Sequence, residues 1–454
     1  MKSLFYILTI VEFVFIIYVL YLKYRNNEQK KLLLLDPFSF FSICWLFLYN
    51  IVPLIMVADN NYYYNEEGYS SQSEFLSKLY LTIFYFLLYI FYRAFSNTYR
   101  FKDYLLRVQM QRLKSVENFF LFGYYLLILV VTIFYIRYIL SFGLGDYFQN
   151  RIIINKGLGI ISLMIYSSNL LILVLFINNY ISKNKSLFGM IKKVMIYLSI
   201  ILFSGIYLLI GSRLSVILLI IQILFAFFYL IEKIKRKFIV RSGLILFTLA
   251  LSLSFFGFMR VRINYPDKDL LSEFAEVFAE KITYNIVTNF GKFENIVWMN
   301  DNMDKWEPLY GKTFAAGFSN VVPRKIWKNK PLGGGPAIRN WIRPGTYDLD
   351  AKDARNITSY TTGFPTEAYM NFHLLGFIIG PLILAFFLAL LKQMLDRLRG
   401  NILQLSMYIY LLVAICFVFQ YGEFLGIFSR TLFAIFPFII IKIAGKFRYV
   451  LKAS

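Results

Sequence analysis

Apolar stretches long enough to cross about 30 Å of hydrocarbon recur from one end of the chain to the other, and they limit the fold more than any other feature of its 454 residues. They read as about eleven spans, near 4–22, 32–57, 77–95, 118–140, 159–178, 194–210, 214–231, 238–258, 373–391, 401–421 and 424–443. A backbone in lipid must satisfy its own N–H and C=O groups, so every span is expected to be a helix unless a barrel closes. Composition agrees: 59% of residues are hydrophobic and 16% charged, and the mean hydropathy is +0.60, outside the soluble globular range. The expected class is an all-α polytopic membrane protein. The first run ends in Tyr21-Leu22-Lys23-Tyr24-Arg25 without a small-residue cleavage site and is expected to be a retained span. Cys44 and Cys416 both fall inside spans, where they act as apolar fillers and support neither a disulfide framework nor a thiolate metal site.

Cations in the short connections set the expected orientation. Lys23, Arg25, Lys30 and Lys31 mark one side, and Arg93 to Lys114, Lys183 to Lys193, Lys233 to Lys237, Lys392 to Arg399 and Lys442 to Lys452 fall on it again. The positive-inside rule makes that side cytoplasmic, with the N-terminus outside, the C-terminus inside and the acidic stretch Asp59 to Glu74 outside. Most of the net charge of +22 is then topological and calls for no nucleic-acid partner. Three parts result: spans over 1–259, one large extracytoplasmic loop over 260–364, and spans over 365–454.

The loop is basic and rich in Gly, Pro and Trp. Leu270, Leu271, Phe274, Val277, Phe278 and Ile282 recur at helical spacing, which predicts an amphipathic surface helix. From Trp306 onward the periodicity fades among Pro and Gly, which predicts irregular backbone with room for a site. Gly333-Gly334-Gly335 lacks the strand and helix context of a nucleotide loop. No His-rich metal spacing and no Walker-type loop occurs, so no metal or cofactor is expected.

Arginines carry the functional reading. Arg213 sits at an expected outer turn, Arg260 and Arg262 where a span leaves the membrane, Arg339 and Arg343 in the loop, and Arg430 within the last span. Guanidinium matches phosphate oxygens in shape and charge, and an arginine at membrane depth costs several kcal/mol unless compensated. The plain alternative is pairing with a carboxylate such as Glu423, or snorkelling to the interface. Where the loop re-enters the membrane, Glu367 is read as a general base or an arginine partner, and His373 as a base or a structural histidine.

Several motifs, taken in order, resemble the Wzy-type O-antigen and capsule repeat-unit polymerases. They are Leu209-Ile210-Gly211-Ser212-Arg213, Met259-Arg260-Val261-Arg262, Tyr310-Gly311-Lys312-Thr313-Phe314, Val322-Pro323-Arg324-Lys325-Ile326-Trp327, and Gly363-Phe364-Pro365-Thr366-Glu367-Ala368-Tyr369-Met370-Asn371-Phe372 followed by Gly376. The family often has Gly where this chain has His373. The resemblance implies a GT-C-like glycosyltransferase of the bacterial cytoplasmic (inner) membrane, acting on its outer face. Such an enzyme moves a growing glycan from undecaprenyl diphosphate to a lipid-linked repeat unit, alongside a flippase and a chain-length regulator. On this reading Arg213, Arg260, Arg262 and Arg430 hold the diphosphates, Arg339 and Arg343 position glycan or phosphate, and Glu367 or His373 takes the proton. Trp327 and Trp341 offer faces to sugar rings. An O-antigen ligase shares these features. A polysaccharide flippase or exporter fits less well, because no internal repeat is visible.

Overall fold

The computed structural model describes residues 1–26, 30–98, 115–155, 157–182, 186–231, 240–244, 289–320, 329–347, 360–398 and 400–453, with isolated positions between. Its elements are helical, and ten helices among the described residues are long and apolar enough to cross a membrane. The chain is a polytopic membrane protein. In order the helices are α1 (Lys2–Asn26), α2 (Pro37–Leu46), α3 (Val52–Ala58), α4 (Ser71–Thr98), α5 (Ser115–Leu140), α6 (Leu144–Ile154), α7 (Gly159–Ser182), α8 (Leu187–Ile210) and α9 (Arg213–Leu230). After them come α10 (Phe293–Asp301), α11 (Lys312–Ser319), α12 (Gly334–Ile342), α13 (Phe364–Phe372), α14 (Gly376–Asp396), α15 (Ile402–Val413), α16 (Phe419–Tyr421) and α17 (Phe424–Ala453). Most of the expected span 238–258, the expected helix 270–282, and Arg260, Arg262 and Arg324 lie outside the described residues.

Two expectations are corrected. The stretch after Trp306 is not simply irregular, since α11 and α12 form within it. Gly333-Gly334-Gly335 does have helix context: it opens α12, for a reason that lies in distant side chains and is given below.

The described chain forms two compact units: Met1–Lys102 with Asp269–Gln393 and Ala414–Ser429, and Asp103–Lys268 with Met394–Val413 and Arg430–Ser454. In the second, α7 is the axis, touching α5, α8, α9 and α15. It is apolar nearly all round and buried without interruption from Ile165 to Val174, as expected of a central helix. Its buried hydroxyls are matched across helices, Ser167 with Tyr124 and Ser168 with Tyr207.

In the first unit α4 is flanked by α1 and α10. One wide turn, a π-helix over Phe47–Ile51, joins α2 to α3. Such a turn displaces backbone carbonyls from the regular ladder, and Lys78 of α4 occupies the place: its ammonium donates to Tyr49 O (2.8 Å), Asn50 Oδ1 (2.9 Å) and the Glu12 carboxylate. Trp45 Nε1 (2.6 Å) and Thr82 Oγ1 (3.0 Å) also donate to Glu12. Both charges are fully buried. Removing one partner of such a pair leaves an uncompensated charge and costs about 3–5 kcal/mol, whereas apolar replacement of the pair is often neutral. Lys78→Ala is therefore expected to lower the stability of the purified protein by about that amount, measured by thermal unfolding in detergent, and Glu12→Gln with Lys78→Met to restore most of it.

Candidate functional site

The first unit builds its polar centre around α13, a short helix held at both ends. Its first turn follows Gly363, whose φ is +77°. A Cβ at Gly363 would lie 2.6 Å from Gln420 O and 2.8 Å from the Tyr49 hydroxyl, so both the torsion and the space require glycine. Tyr49 itself donates to Gln420 O at 2.8 Å. At the far end the helix breaks at His373, and a break within apolar surroundings leaves carbonyls to be satisfied. Leu309 and Tyr310 supply the donors, giving N–H to Met370 O and Asn371 O, both at 2.9 Å. The Asn371 side chain closes the junction. It accepts from Thr313 N–H (3.3 Å), and its amide donates to Thr313 Oγ1 (2.6 Å) and Glu367 O (2.7 Å). Two motifs picked out separately in the sequence, Tyr310 to Phe314 and Gly363 to Phe372, thus meet as one unit.

Glu367 is fully buried. One carboxylate oxygen accepts from Phe424 N–H; the other lies against Gly334, where a Cβ would come within 2.6 Å, and has no hydrogen-bond partner. Beside it, Glu423 accepts from Gly335 N–H at 2.9 Å and crowds Gly333. Two carboxylates thus meet the N-terminus of α12, where backbone donors and the helix dipole favour anions. Gly333 and Gly334 are small because carboxylates press on them, and Gly335 gives its N–H to one of those carboxylates. Glu367 is buried and joins chain segments, α13 to α12 and to the start of α17.

His373 is the more accessible of the two expected bases. Its ring lies 5.1 Å from Tyr369 and 5.5 Å from Trp306, and Trp306 lies 5.5 Å from Trp341. Its φ is +52°, in a region that glycine adopts freely and other residues at a cost. The Gly often found here in the resembled family has this physical basis.

Sequence reading missed α10. Glu294, nearly fully buried, accepts from the N–H groups of Tyr63 (2.8 Å) and Tyr64 (2.6 Å). Asn295 accepts from the Tyr64 hydroxyl at 2.8 Å and donates to Thr361 O and Thr362 O, both at 3.0 Å. One helix therefore ties the acidic loop after α3 to the approach of α13. The available signal was a run of Glu294, Asn295, Asn300 and Asp301 in an otherwise apolar segment. Burial pushes the Glu294 carboxyl up to about 7, against the pull of the Tyr64 and Tyr63 amides, and burial lowers Lys292 to about 8, against Glu294. Arg339 is buried and Arg343 exposed, one helical turn apart on α12 and at its C-cap. Burial raises the Tyr360 phenol while both arginines draw it down, and the ring lies 4.9 Å from that of Tyr64.

In the second unit the turn Gly211-Ser212 joins α8 to α9, as the sequence indicates. Gly211 takes φ +83° and carries the guanidinium of Arg151 so closely that a Cβ would overlap it. Arg151, on α6, was also missed; its Nη1 is buried without a partner. Arg213 begins α9. Arg430 lies 4.4 Å above the Tyr166 ring, which stacks at 5.9 Å on Tyr207, four residues before Gly211. Among the described residues none of these three arginines forms an ion pair.

The sign of the Glu294 shift fixes a pH response. The folded protein holds this proton longer than the unfolded chain, so the cost of ionising it is absent below the ordinary value of 4.5, grows as pH rises and is fully present above about 7. Thermal stability should fall across that window, and Glu294→Gln should flatten the profile. His373→Gly should leave stability within about 1 kcal/mol of wild type, because relief of the positive φ offsets the lost ring contacts; unfolding in detergent measures it. No protein-family model matches the chain, and neither the curated proteins nor the solved structures contain a match to it.

Proposed function

We propose that this protein is a glycosyltransferase that polymerises lipid-linked oligosaccharide repeat units at the outer face of the bacterial cytoplasmic membrane. The observation that carries the reading is the arginine set of the second unit: Arg151 against Gly211, Arg430 over the Tyr166 ring and Arg213 at the start of α9, with no carboxylate paired to them among the described residues. Unpaired guanidinium groups in a membrane helix bundle are costly unless a ligand compensates them, and planar bidentate donors suit a diphosphate.

In the reaction the acceptor sugar's hydroxyl oxygen bonds to the anomeric carbon of the donor. The bond from that carbon to the carrier diphosphate breaks, and the diphosphate leaves with the electron pair. Cations around the departing charge stabilise it, which is the role assigned to Arg151, Arg213 and Arg430. The hydroxyl proton passes to a general base or to solvent. Glu367 serves to hold α13 and α12 together. The motifs shared with repeat-unit polymerases support the same reading.

The test is the surface-glycan ladder of a deletion strain complemented in turn with variants. Loss of everything beyond one repeat unit is expected, with wild type restoring the ladder, Arg430→Ala failing, and Arg430→Lys restoring it partly because charge remains and the fork is lost. An intact ladder in the deletion strain overturns the proposal, and long polymer retained on its carrier identifies a ligase instead.

A further inference from the structure

The surface of α11 and the loop after it is unlike that of an aqueous loop. Tyr310 is 78% exposed, Phe318 61%, Ile326 78% and Trp327 44%. Single exposed apolar residues need no explanation, but a contiguous set outside the spans marks a surface with a partner. The opposite face of α11 is committed. Thr313, Ala316, Gly317 and Ser319 are buried, and a Cβ at Gly317 would come within 2.6 Å of the Phe424 ring.

The position of this surface identifies what covers it. Phe318 packs its ring, tilted, against Phe428 at 4.6 Å and Phe424 at 5.8 Å, in the first turns of the membrane span that α17 begins. Asn320 donates to Ser429 Oγ at 2.7 Å, and Lys330 donates to Asn320 Oδ1 (3.0 Å) and Val322 O (3.3 Å). The loop bearing Ile326 and Trp327 is thus fixed at its base to the end of a membrane helix. Tyr310 in turn is bonded through its N–H to Asn371 O, beside the kink from which exposed Leu374, Leu375, Ile378, Leu382 and Phe386 run down one face of α14. That stripe faces lipid, being an exposed apolar face of a membrane span. Tyr310, at the entry to α11, is bonded to the backbone just before that stripe, and Tyr310, Trp327 and exposed Lys312 are the residue types that settle at the headgroup level.

We propose that α11, with Ile326 and Trp327, forms a shelf submerged in one bilayer leaflet, with Phe318 and Ile326 among the acyl chains and Tyr310 and Trp327 at the headgroup boundary. The partner is the lipid bilayer itself. Because Thr313 of the shelf holds Asn371, one turn beyond Glu367, the shelf fixes the depth of α13 relative to the headgroups. The use of that depth for lipid-linked substrates rests on the polymerase reading; the shelf does not.

The depth is measured on full-length protein in phosphatidylethanolamine and phosphatidylglycerol nanodiscs, with a nitroxide at Phe318→Cys or Ile326→Cys. Cys44 and Cys416 are buried and should not take the label, and labelled wild type serves as the blank. Leu382→Cys gives the lipid reference and Glu66→Cys the aqueous one. Collision with oxygen should exceed collision with a water-soluble nickel chelate at both positions, as at Leu382. A profile like that of Glu66 at either position overturns the shelf. Should Phe318→Cys fail to fold, quenching of tryptophan fluorescence by dibrominated lipid provides the second measure. Trp327→Phe should remove the most strongly quenched part of the signal, and an unchanged quenching curve overturns the proposal. Neither readout depends on activity, so an intact glycan ladder would refute the polymerase and leave the shelf standing.

Discussion

A hydrocarbon surround offers no hydrogen bonds, and the described helix breaks at Phe47–Ile51, His373 and Ala414–Val418 are governed by that fact. Where α13 ends at His373, Leu309, Tyr310 and Thr313 bring their backbone donors to Met370 and Asn371. Where the π-turn displaces the Tyr49 carbonyl, Lys78 reaches it and is neutralised by Glu12. A second π-turn, Ala414–Val418, precedes Gln420, whose amide donates to Phe41 O at 3.0 Å. Breaks are tolerated because tertiary partners meet them, and the same breaks bring polar residues into an apolar interior.

The first unit therefore owes its polar centre to backbone accounting as much as to chemistry. Glu367, Glu423, Asn371 and Asn295 each join segments far apart in sequence, and each is buried or tied to backbone donors and carbonyls. Gly333 and Gly334 at the start of α12 show the same logic, being small where carboxylates approach the helix N-terminus. An apparent loop signature is here the imprint of two side chains in the backbone that faces them.

The second unit differs in kind. Its arginines touch tyrosine faces and glycine backbone rather than carboxylates. Cation–π contact contributes about 0.5–2 kcal/mol, less than the several kcal/mol that a buried ion loses in leaving water. That imbalance separates these arginines from a structural ion pair such as Lys78 with Glu12, where each acceptor and donor is matched.

The sequence by itself determined the class of fold, since span length and apolarity are local properties that lipid converts directly into helix. The Gly211 turn and the Gly363 start of α13 were legible for the same local reason. Tertiary structure alone decided that the Tyr310 and Gly363 motifs meet through Asn371 and Thr313, that Glu423 meets the first turn of α12, that α10 ties the loop after α3 to the approach of α13, and that Arg151 lies against Gly211. These depend on contacts across tens to hundreds of residues, such as Glu294 with Tyr63 and Tyr64 or Tyr49 with Gln420. Local periodicity carries no record of such partners, because a buried carboxylate and a solvent-facing one are the same letter until packing removes the water around one of them.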